Sequence, residues 1–158
     1  MGFPSNRGNP IISIKRGGTM RITSESDYAL RIISALAKHD GVVDAKTLAE
    51  ETSVTLQFTL KILNKLVRSD LIKSFKGIRG GYCLKLPPEE ITLKLVIESI
   101  DGPIAMVRCL ESSEGCSLNQ EKTACIYHHI FDTISLDVAR KLAGITIADV
   151  LNRTYSIK

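Results

Sequence analysis

Apolar residues recur at helical spacing from about Ser24 to Lys38, where Tyr28, Leu30, Ile32, Ile33, Leu36 and Ala37 form one wide stripe. His39-Asp40-Gly41 ends that helix, His39 serving as a residue suited to a helix C-terminus. Asp44 is placed to cap a short second helix, Ala45 to Glu51, with Leu48 and Ala49 turned inward. After the turn Thr52-Ser53-Val54, Thr55 opens a third helix that reaches Arg68. On it Leu56, Leu60, Leu63 and Val67 share one side, with Ile62 and Leu66 beside them. Two short helices joined by such a turn, the second longer and more basic, predict a helix-turn-helix.

The period then changes. Leu71 to Phe75 and Tyr82 to Leu86 read as two strands around the turn Lys76-Gly77-Ile78-Arg79-Gly80-Gly81. Gly77, Gly80 and Gly81 allow positive φ at the tip and a close backbone approach to a neighbour. A hairpin directly after a helix-turn-helix predicts a wing. Pro87-Pro88 ends it, and Thr92 caps a helix running to about Ile100. Residues 109–125 are loop-like, whereas Ile126 to Leu142 reads as a long helix with apolar Ile126, Ile130, Phe131, Ile134, Val138 and Leu142. A lone helix cannot bury that face, so it requires a partner. Thr146 opens the closing segment as a cap. The expected fold class is therefore mainly α with a small β wing. Its divisions are a disordered extension or tag at 1–19, a winged helix at 20–104, a cysteine-bearing loop at 105–125, and a long helix with its tail at 126–158, Met20 being a candidate natural start.

Charge sharpens this picture. The 158 residues carry a net +4, unevenly placed: residues 1–86 hold 14 Lys and Arg against 7 Asp and Glu, while residues 87–158 hold 7 against 10. A basic front half suits a polyanion. The N-terminal residues of a recognition helix meet base edges; here these are Thr55, Gln57, Phe58, Thr59 and Lys61. Gln pairs bidentately with adenine, and Lys reaches guanine O6 and N7. Phe58 serves equally as an inward anchor. Asn64, Lys65 and Arg68 lie further along as phosphate contacts, Arg79 at the wing tip faces an adjacent minor groove, and Lys73 and Lys76 hold phosphates there. Double-stranded DNA is the expected partner.

Other classes find less support. No apolar run approaches the ~20 residues of a membrane span, and Ile11 to Ile14 is too short for a signal-peptide core. The expected location is cytoplasmic. There is no nucleophile with a paired base, and the GIRGG run lacks the spacing of a phosphate loop, so no enzyme is expected. In a cytoplasmic chain four cysteines point to thiol, metal or redox chemistry rather than disulfides. Cys109, Cys116 and Cys125 are spaced C-x6-C-x8-C, with His128 and His129 close behind. Thiolates in one loop can converge on a soft metal centre, an iron–sulfur cluster foremost and zinc or a thiol switch second. His128 follows Cys125 by three positions and can share its helical face. Cys83 stands apart in the wing as a small buried side chain.

Several stretches together resemble the IscR/NsrR family of winged-helix regulators: MRITSESDYALRIISAL, FTLKILNKLVRSDLIKSFKGIRGGYCL, PPEEITL, IDGPIAMVRC and TIADVL. The resemblance spans Met20 to about Leu151 and is most specific in KGIRGGY. It implies a homodimer whose long helices pair and place two winged helices on a palindromic operator, and a repressor that senses iron, nitric oxide or redox state. It also implies a [2Fe–2S] or [4Fe–4S] cluster on Cys109, Cys116 and Cys125, although the loop here is longer on both sides than in the best-known members. The fourth ligand is His128 in the IscR-like pattern, which is favoured, or Asp27 of the second subunit in the NsrR-like pattern. Cluster-free members of the same fold, some of them thiol regulators, supply the alternative.

Overall fold

A computed structural model describes residues 22–111 and 124–154. The order of elements is α1 (Ser24–Leu36), α2 (Ala45–Thr52), α3 (Leu56–Arg68), β1 (Ile72–Phe75), β2 (Gly81–Leu84), α4 (Leu93–Asp101), α5 (Arg108–Glu111), α6 (Ile126–Ala143) and α7 (Ile147–Asn152). This is a winged helix, followed by a long helix. The expected extension at 1–19 lies outside the described residues.

Each helix of the first half starts where a side-chain oxygen satisfies backbone N–H groups that the helix leaves unpaired. Thr23 accepts from the Ser26 amide, Asp44 from those of Lys46 and Thr47, Thr55 from Phe58, and Thr92 from Leu95. The Thr47 hydroxyl and amide hold the Asp44 carboxyl below its ordinary range. Ser53 ends α2 with φ 55°, the left-handed turn that swings the chain into α3.

Ile32, Ile33 and Leu36 of α1 pack with Leu48 of α2, Ile62, Leu63 and Leu66 of α3, Leu71, Ile72, Ile91 and Val96 in one buried core. Burial of each such side chain contributes about 1.5–3 kcal/mol. The inward face of α3 differs from the expected one. Thr59, Ile62, Leu63 and Leu66 are buried, whereas Leu56 and Leu60 are exposed.

In the wing Ile72 pairs with Leu84, Lys73 with Cys83, Ser74 with Tyr82 and Phe75 with Gly81. Gly77 adopts φ +110° at the tip. A Cβ on Gly81 would lie 2.4 Å from the Val43 carbonyl oxygen, because β2 runs hard against the α1–α2 loop. There the Val43 amide donates to the Tyr82 carbonyl (2.9 Å) and the Tyr82 amide to the Val43 carbonyl (2.8 Å). Cys83 is half-buried rather than buried.

Beyond α6 the chain returns to the winged helix. The Leu93 amide donates to Ile145 (2.9 Å), the Ile147 amide to Ile91 (2.8 Å), and Thr92 and Thr146 form an antiparallel bridge. Thr146 and Asp149 cap α7 reciprocally, and Ile147 is wholly buried in the core. No described helix is long and apolar enough to cross a membrane.

Candidate DNA interface and cysteine-bearing sensor

The helix-turn-helix presents α3 with Thr55, Gln57, Lys61, Asn64 and Arg68 exposed. Thr59 is the correction: its side chain is 0% exposed, turned into the core with its hydroxyl unpartnered, so it cannot reach a base edge. Phe58 is partly an inward anchor. It packs edge-on against Tyr28 of α1, ring centroids 6.4 Å apart, yet stays about half exposed. Leu56 and Leu60 also stand exposed on α3, and Ile78 is fully exposed beside Arg79 at the wing tip. Apolar contact of this kind suits thymine methyl groups in a groove.

Charge at this surface is organised by α1. Lys61 and Lys65 both donate to Glu25, one to each carboxylate oxygen. Lys65 Nζ also lies 3.4 Å from the Ile100 carbonyl oxygen. The hydrogen bonds from Lys61 and then Lys65 keep the Glu25 carboxyl below its ordinary range. Arg68, Lys73, Lys76 and Arg79 lie exposed along the same half of the chain.

The second site begins where α4 ends. Asp101 accepts from the hydroxyls of Thr23 (2.7 Å) and Ser26 (2.7 Å), fastening α4 to the first turn of α1. The chain then leads through Gly102 to α5, which carries Cys109 and packs on α6. Ser135 of α6 steadies the approach by accepting from the Met106 amide at 3.1 Å. Cys109 and Cys125 are both half-buried free thiols, and Cys125 stands at the N-cap of α6 without making a capping hydrogen bond. One turn on, the Nδ1 atom of His128 is buried with no hydrogen-bond partner. Cys116 lies outside the described residues, and among those described no group of three or more His, Cys, Asp or Glu is gathered to hold a metal ion. Asp27 sits on α1 in an ion pair with Arg31 (2.6 Å). His39 is engaged by Glu51 of α2 (3.0 Å).

On α6 one apolar face is exposed among the described residues. Ile126, Ile130, Ile134 and Val138 are exposed at four-residue spacing, with Tyr127 and Leu136 exposed beside them. Phe131 and Leu142 are half-buried.

Comparison with known proteins bears on the family and the fold. The family model described as "Rrf2: Iron-dependent Transcriptional regulator" matches residues 22–153. The regulator IscR of Aliivibrio salmonicida is 29% identical over 134 residues, covering 84% of this chain and 77% of its own length. Among solved structures, CymR, the global cysteine regulator of B. subtilis, superposes with a TM-score of 0.68 at 26% identity, covering 87% of this chain and 100% of its own. The IscR of T. potens shares the fold, with a TM-score of 0.66 at 21% identity, over 88% of this chain and 94% of its own.

Proposed function

Because this chain belongs to the Rrf2 family of iron-dependent transcriptional regulators, we propose that it is a cytoplasmic, homodimeric repressor whose hold on a palindromic operator depends on an iron–sulfur cluster. Cys109, Cys116, Cys125 and His128 would hold the cluster. The observation that carries this reading is the buried, unpartnered Nδ1 of His128 one turn after Cys125, since a buried nitrogen without a partner costs free energy that a ligand role would offset. The donor set, thiolates with one imidazole, suits iron–sulfur chemistry. Asp27 is the weaker fourth ligand because it is already engaged by Arg31. A bound cluster supplies an iron centre that responds to redox state and nitric oxide.

The protein's own part is mechanical. Cys109 is tied through α5 and the segment 102–107 to Asp101, and Asp101 grips α1, which packs on α3. Any change at the loop acts on DNA only by favouring one of two arrangements of these elements. Thr55, Gln57, Phe58, Lys61, Lys65, Arg68 and Arg79 form the DNA-contacting set.

Anaerobic purification followed by iron and sulfide analysis and visible absorption tests the cluster. His128→Ala should alter the spectrum while Asp27→Ala leaves it unchanged. The reverse result would move the fourth ligand to α1. If wild type binds iron and sulfide no better than the Cys109→Ser/Cys116→Ser/Cys125→Ser variant, the cluster reading fails. The likeness to CymR favours a second reading, a cluster-free regulator controlled by thiol oxidation, a small molecule or a protein partner. Thiol control predicts DNA binding that peroxide alters without any bound iron.

At the wing, Arg79→Ala should weaken operator binding by about 1–3 kcal/mol with an unchanged thermal midpoint, because the side chain is exposed. Electrophoretic mobility shift and thermal melting measure the two effects. Unaltered affinity would remove Arg79 from the interface.

A further inference from the structure

Glu25 occupies the first turn of α1, and its side chain is 25% exposed beside the recognition helix. Its backbone is held in place, since Thr23 and Ser26 on either side are both bound by Asp101. From that fixed position its two carboxylate oxygens take one ammonium each, Lys61 and Lys65, residues 36 and 40 positions away. Exposed ion pairs contribute little to stability, with a median of about 0–1 kcal/mol. The effect of this arrangement therefore falls on what the two lysines are free to do.

Resting on the operator-binding reading above, we propose that Glu25 is a specificity-determining residue: as shared counter-ion of Lys61 and Lys65, it withholds both lysines from the phosphates of non-cognate DNA. Non-specific binding draws on counter-ions released when lysines neutralise phosphates. A lysine already neutralised by a carboxylate exchanges one anion for another and gains little. The exchange also strands Glu25 unpaired near the DNA backbone, where like charges repel. On a cognate site the exposed Leu56, Phe58, Leu60 and Gln57 seat α3 in the groove, and base acceptors then come within reach of Lys61. Glu25 thus subtracts from the term common to all sequences and leaves the sequence-dependent term standing.

The test compares two duplexes, one recovered by the wild-type protein from a random-sequence pool and a scrambled version of it, by fluorescence anisotropy between 50 and 200 mM salt. Glu25→Gln should steepen the salt slope on the scrambled duplex by about 1–2, at ~0.9 per phosphate gained. Its gain on that duplex should be about 4–16-fold larger at 50 mM than at 200 mM salt, by the same relation. The ratio of selected to scrambled affinity should fall accordingly. Glu25→Asp should stay near wild type, and adding Lys61→Ala and Lys65→Ala to Glu25→Gln should abolish the gain. An unchanged slope and ratio in Glu25→Gln would overturn the proposal. So would equal loss on both duplexes with a lowered thermal midpoint, which is the mark of a structural residue. A wild-type protein that enriches no duplex would refute the operator reading itself, and this inference with it.

Discussion

Replacing Ile130 and Ile134 together with Glu should yield monomers and lower operator affinity by about 10²–10⁴-fold, the range by which linked binding modules exceed single ones. Both side chains stand exposed on α6, in a row with Ile126 and Val138. An apolar row of this length on one helix is what a second copy of the same helix covers in a two-fold pair. Charge placed there would have to be desolvated or left facing its twin, and either outcome costs more than the contact returns. Each winged helix would then hold one half-site alone. Sedimentation velocity and anisotropy on the selected duplex measure the two effects. A doubly charged variant that still sediments as a dimer would mean that another surface joins the protomers. Because the two residues are exposed within one protomer, its helical content should be unaffected.

Ile147→Ala should destabilise the protein by about 2–5 kcal/mol, the cost of emptying a buried aliphatic site. Ile147 is 0% exposed among core residues contributed mainly by α1 to α4, although it lies near the chain end. Val150→Ala, on the exposed side of the same short helix, should stay within about 0.5 kcal/mol. Urea denaturation at one fixed protein concentration makes the comparison sound for an associating chain. If the segment after α6 were a loose tail, both substitutions would be equally mild. A large effect at Ile147 alone would establish that the chain end is part of the winged-helix core.

Ile147 also marks where sequence reasoning ran out. Thr146 was legible as a cap because a cap is a local arrangement, a side chain bonded to a backbone group three residues on. The same holds for Asp44, Thr55 and Thr92, which is why α2, α3 and α4 began where their sequences predict. That Ile147 is buried in the core of the winged helix depends on the path of α6, which no local pattern encodes. The face of α3 failed for a related reason. Its leucines and isoleucines surround the helix so broadly that the buried stripe could be drawn along Leu56-Leu60-Leu63-Val67 or Thr59-Ile62-Leu63-Leu66, and packing against α1, α2 and α4 chose the second. At the DNA surface the residue types were legible and their states were not. Lys61 and Lys65 read as free cations until the fold brings Glu25 to them across more than 35 positions. The cysteine spacing names candidate donors only, and the unpartnered His128 nitrogen is visible only once the fold is known.

The paired amides of Val43 and Tyr82, with Gly81 pressed against the Val43 carbonyl, give the wing a third point of attachment beyond its own two strands. The base of the wing therefore cannot swing independently of the α1–α2 loop, and its remaining freedom lies in the tip from Lys76 to Gly80. Most of the ordering that a flexible arm would undergo on meeting DNA is completed during folding. Association would then cost backbone entropy mainly at that tip, and whatever Arg79 and Ile78 gained in a groove would be set against ordering one short turn rather than the whole hairpin.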